Sequence, residues 1–306
     1  MFLIMSGAYI DQELKAEFGS IPPSFLPLGG KRLYQHQYKL IPKNTNVYLT
    51  LPESYRVPSA DDAWLKKNNI TIITVSERLS LGASLVSALN MIEDSFDRPL
   101  SVLFGDTLIK QLPLTKDVVA ISDVENSYNW AVVTKDDSNW LQSSESTHAD
   151  NGRSIVNGYF NFTKPRQLIK EITKNNWNFL EGLNSYHNIV GLAAIKVDGW
   201  LDFGHVNTYY RSKAEFTTQR AFNELNVTAD WVEKSSVKDY KIRAEAAWFK
   251  NLPSTLRRYT PQYLGSLISK DVFSYRLEYL HLTALNELYV YGEVPSLVWS
   301  QILNSC

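Results

Sequence analysis

The chain has 306 residues, 44% of them hydrophobic and 21% charged, with 14 Gly, 12 Pro and a single Cys. That composition excludes a disordered tail, a collagen-like repeat, a coiled coil or a disulfide-stapled miniprotein. Lys plus Arg (31) nearly balances Asp plus Glu (32), so no strongly basic surface points to a nucleic-acid partner. No apolar run approaches the roughly 18 residues of a membrane helix, and residues 1–5 are too short for a signal-peptide core. A cytoplasmic protein of two domains, with no membrane insertion, is the expectation.

Strands are predicted over 2–5, 47–51, 70–75, 100–104, 118–121, 130–134, 155–162 and 189–196, several of them continuous apolar runs suited to burial on both faces. Between the third and fourth the clearest helix spans 83–96, where Leu85, Leu89, Ile92 and Phe96 recur at i, i+4, i+7 and i+11. A second helix over 165–173 sets Leu168, Ile169 and Ile172 on one side. The polar stretch 136–153 reads as a surface loop or irregular hairpin. Strands alternating with helices predict an α/β domain with a mostly parallel sheet, and such sheets bind ligands beyond the carboxyl ends of their strands. Two such ends carry carboxylates beside glycine, Gly105-Asp106-Thr107 and Asp202-Phe203-Gly204. Either alone is an ordinary turn, but two strand-end aspartates can meet across one crevice and hold Mg2+ with phosphate oxygens.

Four segments, in order, resemble the sugar-phosphate nucleotidylyltransferases over residues 1–215. They are Pro23-Ser24-Phe25-Leu26-Pro27-Leu28-Gly29-Gly30-Lys31-Arg32-Leu33, Leu81-Gly82-Ala83-Ser84-Leu85, Val102-Leu103-Phe104-Gly105-Asp106 and Gly199-Trp200-Leu201-Asp202-Phe203-Gly204. The resemblance implies a mixed, mostly parallel sheet flanked by helices, related to the glycosyltransferase-A fold. It also implies Mg2+ held by Asp106 and Asp202, and a nucleotide bordered by Ser6, Gly7, Ala8, Gly82 and Gly105. Gly158 and Tyr159 would border the acceptor. The implied reaction joins an NTP to a sugar phosphate or phospho-alcohol with release of pyrophosphate, as in the synthesis of surface polysaccharide or lipopolysaccharide precursors. The sequence departs from the family at two cationic positions. The Gly-x-Gly-x-Arg loop is here Met5-Ser6-Gly7-Ala8-Tyr9-Ile10, and the lysine after the proline is Ser24. Lys15, Lys31 and Arg32 are the candidates to replace them, Lys15 at the nucleotide and the other two in catalysis. His36, His148, His187 and His281 are scattered without metal-ligand spacing, whereas His205 follows the Asp202 segment within reach of a phosphate.

Residues 216–306 change character. A strand at 231–234 precedes a helix at 239–249, placing Lys234 eleven residues before Glu245. With Phe273-Ser274-Tyr275-Arg276-Leu277-Glu278-Tyr279-Leu280 and helices expected at 285–291 and 297–303, this resembles the small α+β lobe of aminoglycoside- and choline-kinase-like phosphotransferases up to the hinge. A lysine–glutamate pair anchors phosphates there. No His-Gly-Asp run follows residue 280, so this segment is expected to be an inactive, partial lobe. Two rival functions stand beside the first: a glycosyltransferase using a nucleotide-sugar donor on the same fold, and a nucleotide-binding or scaffold module that has lost catalysis.

Overall fold

In the computed structural model of the chain, residues 1–92, 96–123, 131–133, 140–143, 154–220, 225–228, 230–236, 239–269 and 272–305 are described, the side chains of 218–220 excepted. Among the described residues the central sheet has nine strands: β1 Phe2–Met5, β2 Val47–Pro52, β3 Ile70–Val75, β4 Leu100–Phe104, β5 Val118–Asp123, β6 Ala131–Val133, β7 Leu141–Ser143, β8 Ser154–Phe162 and β9 Ala193–Lys196. β1 is apolar at every position because both of its faces are covered. Phe2 and Ile4 enter one core while Leu3 and Met5 enter the other, as the two-residue alternation of a strand demands.

β3, β2, β1 and β4 run parallel in that spatial order. β8 then pairs antiparallel with β4 through residues 159–162 and, on its other edge, with β5, which carries β9 in parallel. The first half of β8 pairs with β6, and β6 with β7, so part of the polar stretch read as a loop or irregular hairpin does pair as a hairpin; most of 136–153 lies outside the described residues. One face of the sheet is covered by helices Gln12–Phe18, Leu33–Tyr38, Ser59–Lys67 and Val206–Arg220, and the other by Leu81–Asn90, Pro165–Lys174 and Phe179–Val190. The sequence reading is corrected at 189–196. Phe179, Leu183, Tyr186 and Val190 form a helical stripe on the second core, which holds residues 189 and 190 in the helix despite their β-branched side chains.

A second, antiparallel sheet has the order β10 (Leu225–Val227), β11 (Trp231–Ser235), β13 (Val272–Glu278), β12 (Tyr263–Ser269). Helix Asp239–Lys250 covers it through Ile242 and Ala246, against Phe273 and Tyr275. After β13 the chain returns to the first unit. Leu288 of helix Leu285–Tyr291 enters the core of Phe2 and Ile4, and Val294, Trp299 and Ile302 pack against it. The division expected at 215/216 therefore does not separate the packing, since residues 285–302 complete the first core. Among the described residues no helix is long and apolar enough to cross a membrane.

This return is tied down by a buried cation. Arg32, 4% exposed, donates from Nη1 to the carbonyls of Phe25 (2.9 Å) and Tyr291 (2.6 Å) and pairs through Nη2 with Asp61 at 3.1 Å. Tyr34 also donates to Asp61, at 2.7 Å. A charge at that depth persists only when paired and hydrogen-bonded, and removing one partner strands the other. Arg32→Ala is expected to cost about 3–5 kcal/mol, read as a fall in Tm of about 6–15 °C. A variant with unchanged Tm would contradict this structural role.

Candidate active site

The site is built where β4 ends. Gly105 donates its amide to the Met5 carbonyl at 2.7 Å, and a side chain at 105 would collide with Ser6, whose Cβ and Oγ lie 2.8 Å from the Cβ position. The chain then turns through Asp106 into a two-residue ladder, Thr107–Leu108 against Leu201–Asp202, which sets Asp202 opposite Thr107. Phe203 donates to the Asp106 carbonyl at 2.8 Å. Segments almost a hundred residues apart in sequence thus present their aspartates to one point. A Cβ placed on Gly204 would lie 3.1 Å from Asp106 Oδ2 and 3.3 Å from Asp202 Oδ1, so both carboxylates close tightly on the same point beside Gly204.

Their electrostatics follow from this crowding. Burial and then the neighbouring Asp202 charge push Asp106 up from 3.8 to about 6, and burial also raises Asp202. Asp202 Oδ1 accepts from the Gly204 amide at 3.2 Å, while Oδ2 is buried with no hydrogen-bond partner. A buried carboxylate oxygen left unpaired beside a second carboxylate suits a small hard cation. Among the described residues no group of three His, Cys, Asp or Glu side chains gathers, so the protein's donor set here is these two carboxylates.

Two cavities meet at Asp106, Phe104 and Leu81. The first, about 230 Å³, is lined by Ser6, Gly7, Ala8, Ser84 and Gly105 among others. A side chain at Gly7 would overlap Val75, which is why the loop passes so close to β3. The Ser6 amide is held by Thr50 Oγ1 at 2.8 Å, and its hydroxyl accepts from the Ser24 amide (3.0 Å) and hydroxyl (2.8 Å). No hydrogen bond among the described residues uses the amides of Gly7 and Ala8. The second cavity, about 380 Å³, has an apolar floor of Phe104, Phe160 and Phe179, and Asp106, Asp202, Gly158 and His205 also line it. Gly158 lies at a register shift in β8 with φ of +89°, and a Cβ there would sit 2.8 Å from Thr107 Oγ1. A larger cavity, about 1080 Å³, lies on the second unit beside Arg257 and Tyr259, but neither aspartate lines it.

Several expected site residues stand elsewhere. Arg32 is committed to Asp61 and two carbonyls and lines neither cavity at the aspartates. Lys15 and Lys31 are exposed and line neither. Gly82 is turned to the Trp177 carbonyl and Ile172, where a Cβ would overlap, so its smallness serves helix packing. Tyr159 is buried on the opposite face of the sheet, its ring stacked on Phe2 and its hydroxyl 3.4 Å from Ser101. Lys234 and Glu245 do meet, at 2.7 Å, with Tyr275 donating to the same carboxylate oxygen at 2.8 Å. Two contributors escaped the sequence reading. Gln37, fully buried, reaches the carbonyls of Phe104, Gly105 and Thr107 with Nε2 at 2.8–3.2 Å and so pins the turn bearing Asp106. Asn178 caps the helix that opens onto the larger of the two cavities, accepting from the Glu181 amide at 3.3 Å. The available signal was a Gln on the apolar side of helix Leu33–Tyr38 and an Asn before an apolar stripe.

No family model and no curated protein sequence matches the chain. Solved structures do. A nucleoside-diphosphate-sugar pyrophosphorylase from Vibrio cholerae superposes with a TM-score of 0.55 at 12% identity, covering 70% of this chain and 99% of its own. The chain shares the fold of that structure. The CTP:phosphocholine cytidylyltransferase of Streptococcus pneumoniae (TM-score 0.53, 12% identity, 69% and 96% covered) is similar to it. So is an inositol-1-phosphate CTP transferase from T. maritima (0.52, 12%, 71% and 96%).

The raised Asp106 carries a stability signature. Between about pH 4 and 6 the folded chain holds a proton that the unfolded chain has released, so this group makes folding less favourable as pH rises through that window. In metal-free protein, Asp106→Asn is expected to raise Tm by about 3–6 °C at pH 7.5 and by little at pH 4. An equal shift at both pH values would remove the repulsion account.

Proposed function

We propose that this chain is a Mg2+-dependent nucleotidylyltransferase that joins an NTP to a sugar phosphate or phospho-alcohol and releases pyrophosphate. Supply of activated precursors for surface polysaccharide is the setting in which such a reaction belongs. The observation that carries the reading is the meeting of Asp106 and Asp202 in the larger cavity, where Asp106 also lines the loop cavity and the buried Oδ2 of Asp202 has no hydrogen-bond partner. The cavity of Gly7 and Ala8 receives the nucleotide phosphates on loop amides, and the larger one receives the acceptor. Asp106 and Asp202 would hold the cation, which when bound would offset the repulsion between acceptor phosphate and α-phosphate. The acceptor phosphate oxygen then attacks the α-phosphorus as its bond to the pyrophosphate oxygen breaks. The chain's own part is to orient and to neutralise, as phosphoryl-type transfer requires.

Three helices, Leu81–Asn90, Phe179–Val190 and Val206–Arg220, begin at these cavities, and their N-termini favour anions there. The second reading, a module that binds nucleotide without turnover, is favoured by one observation: among the described residues lining either cavity there is no Lys or Arg. On the same footing we propose that the second sheet with helix Asp239–Lys250 is a kinase-like small lobe, a reading that the Lys234–Glu245 pair supports.

Pyrophosphate release from each NTP with Mg2+, offered sugar 1-phosphates and small phospho-alcohols, tests the reaction. One matched pair is expected to turn over, and Asp106→Asn and Asp202→Asn each to lower that rate at least about 100-fold with the fold retained. Near-normal turnover by either variant would remove that residue from the site. Nucleotide binding without release across the panel would favour the module.

A further inference from the structure

The larger cavity at the aspartates is lined by two side-chain amides that the transfer described above does not use. Asn157, 2% exposed, lies at the register shift of β8 between Val156 and Phe160, where a strand can re-aim its side chains. Thr107 Oγ1 donates to its carbonyl at 3.0 Å, and its Nδ2 is spent on Ser122 Oγ at 3.1 Å. Its Oδ1 is buried with no hydrogen-bond partner. A buried amide oxygen left unpaired costs free energy that an incoming donor recovers. Asn178 is its counterpart on the same cavity. There Oδ1 is committed, accepting from the Glu181 amide at 3.3 Å to cap helix Phe179–Val190, while Nδ2 makes no hydrogen bond among the described residues. One cavity thus has an acceptor on Asn157 and a donor on Asn178.

The floor narrows the ligand further. Phe160 is stacked on Phe162 (6.0 Å between centroids, planes 8° apart) and edge-on to Phe179 at 5.5 Å. Phe104 is tilted by 50° against both Phe160 and Phe179. Rings packed on one another in this way form a floor rather than a box of converging faces of the kind that holds a quaternary ammonium. Both aspartates are committed to the cation on the reading above, and no other Asp or Glu lines the cavity among the described residues. An apolar floor with a separate donor and acceptor suits a polyhydroxylated ring, whose hydroxyls both donate and accept and whose C–H edges lie on apolar surface.

We infer, resting on the reading of this cavity as the acceptor's, that the acceptor is the phosphate monoester of a polyhydroxylated ring, a sugar or cyclitol, and that Asn157 and Asn178 determine this specificity. One ring hydroxyl donates to Asn157 Oδ1 and another accepts from Asn178 Nδ2. The C–H edge of the ring meets Phe104, Phe160 and Phe179. Phosphocholine has neither hydroxyl nor N–H, so it leaves Asn157 Oδ1 unpaired and is disfavoured.

The test uses the full chain with Mg2+ and a non-hydrolysable analogue of each NTP in turn. Glucose 1-phosphate, mannose 1-phosphate, inositol 1-phosphate and phosphocholine are titrated calorimetrically against wild type, Asn157→Leu and Asn178→Ser. At least one ring phosphate is expected to bind about 10-fold tighter than phosphocholine, or more. Asn157→Leu nearly keeps the volume and leaves no amide unpaired, and it should weaken that ring phosphate about 10-fold. Asn178→Ser keeps a helix cap, so it should weaken the same probe about 3-fold with Tm unchanged. Neither substitution should move phosphocholine, which a merely structural effect on the cavity would also weaken. Phosphocholine bound as tightly as the best ring phosphate, no ring phosphate bound by wild type, or an unchanged ring-phosphate affinity in either folded variant overturns the inference. Pyrophosphate release with phosphocholine and with no ring phosphate overturns it too, and leaves the transfer reaction standing. Ring-phosphate binding that both variants weaken, with no pyrophosphate release by wild type on any pair, keeps the ligand class and sinks the transfer reaction instead.

Discussion

Everything at this site depends on one short ladder. Pairing of Thr107–Leu108 with Leu201–Asp202 brings two strand-end aspartates to the same point, and the Phe203 amide on the Asp106 carbonyl closes it. A two-residue ladder is too short to hold itself, and the surroundings hold it. Gln37 gathers the carbonyls of Phe104, Gly105 and Thr107 from below. Thr107 Oγ1 donates to the Asn157 carbonyl at 3.0 Å, which ties the ladder to β8 at its register shift. Beyond it, Ser212 Oγ donates to the Asp202 carbonyl at 2.7 Å from helix Val206–Arg220. A repulsive pair of carboxylates is therefore imposed by hydrogen bonds made elsewhere, which is the ordinary way a fold sustains an unfavourable arrangement where chemistry needs it.

The electrostatic design follows from what the fold does with its cations. Arg32, the arginine nearest in sequence to the loop, is drawn into the core, where it holds the returning segment 285–302 against Phe25 and Asp61. Ser24, which follows Pro23, is fully buried and engages Ser6. What remains at the two cavities is a set of helix starts and loop amides. Helix termini and amides contribute fractional charges that need no counter-ion and no ordering of long side chains. They bind less strongly than a guanidinium fork does.

Much of this was legible in the sequence, for identifiable reasons. β1, β3 and β4 fall where the apolar runs place them; β1 is buried at every position, while β3 at the sheet edge exposes Thr71 and Thr74 between its apolar residues. Asp106 and Asp202 stood out because glycine flanks each at the end of an apolar segment. The reading went astray where a side chain's direction depends on a distant partner. Arg32 looks like a surface cation until Asp61 is beside it. Tyr159 follows Gly158, yet it points to the opposite face, toward Phe2, while Gly158 faces Phe104. Residues 189 and 190 have strand propensity, but the stripe of Phe179, Leu183 and Tyr186 keeps them helical. The return of residues 285–302 to the first core had no local signature, because Leu288 and Trp299 read as the apolar face of any helix.

The central claim is that Asp106 and Asp202 form one metal-binding pair rather than two turn aspartates. Diffraction from crystals grown with Mn2+ and a non-hydrolysable NTP, recorded at the manganese edge, addresses it most directly. The account predicts an anomalous peak about 2 Å from an oxygen of each carboxylate, with the nucleotide phosphates completing the shell. A manganese ion bound elsewhere, or none within reach of both aspartates when the nucleotide occupies the cleft, would contradict it.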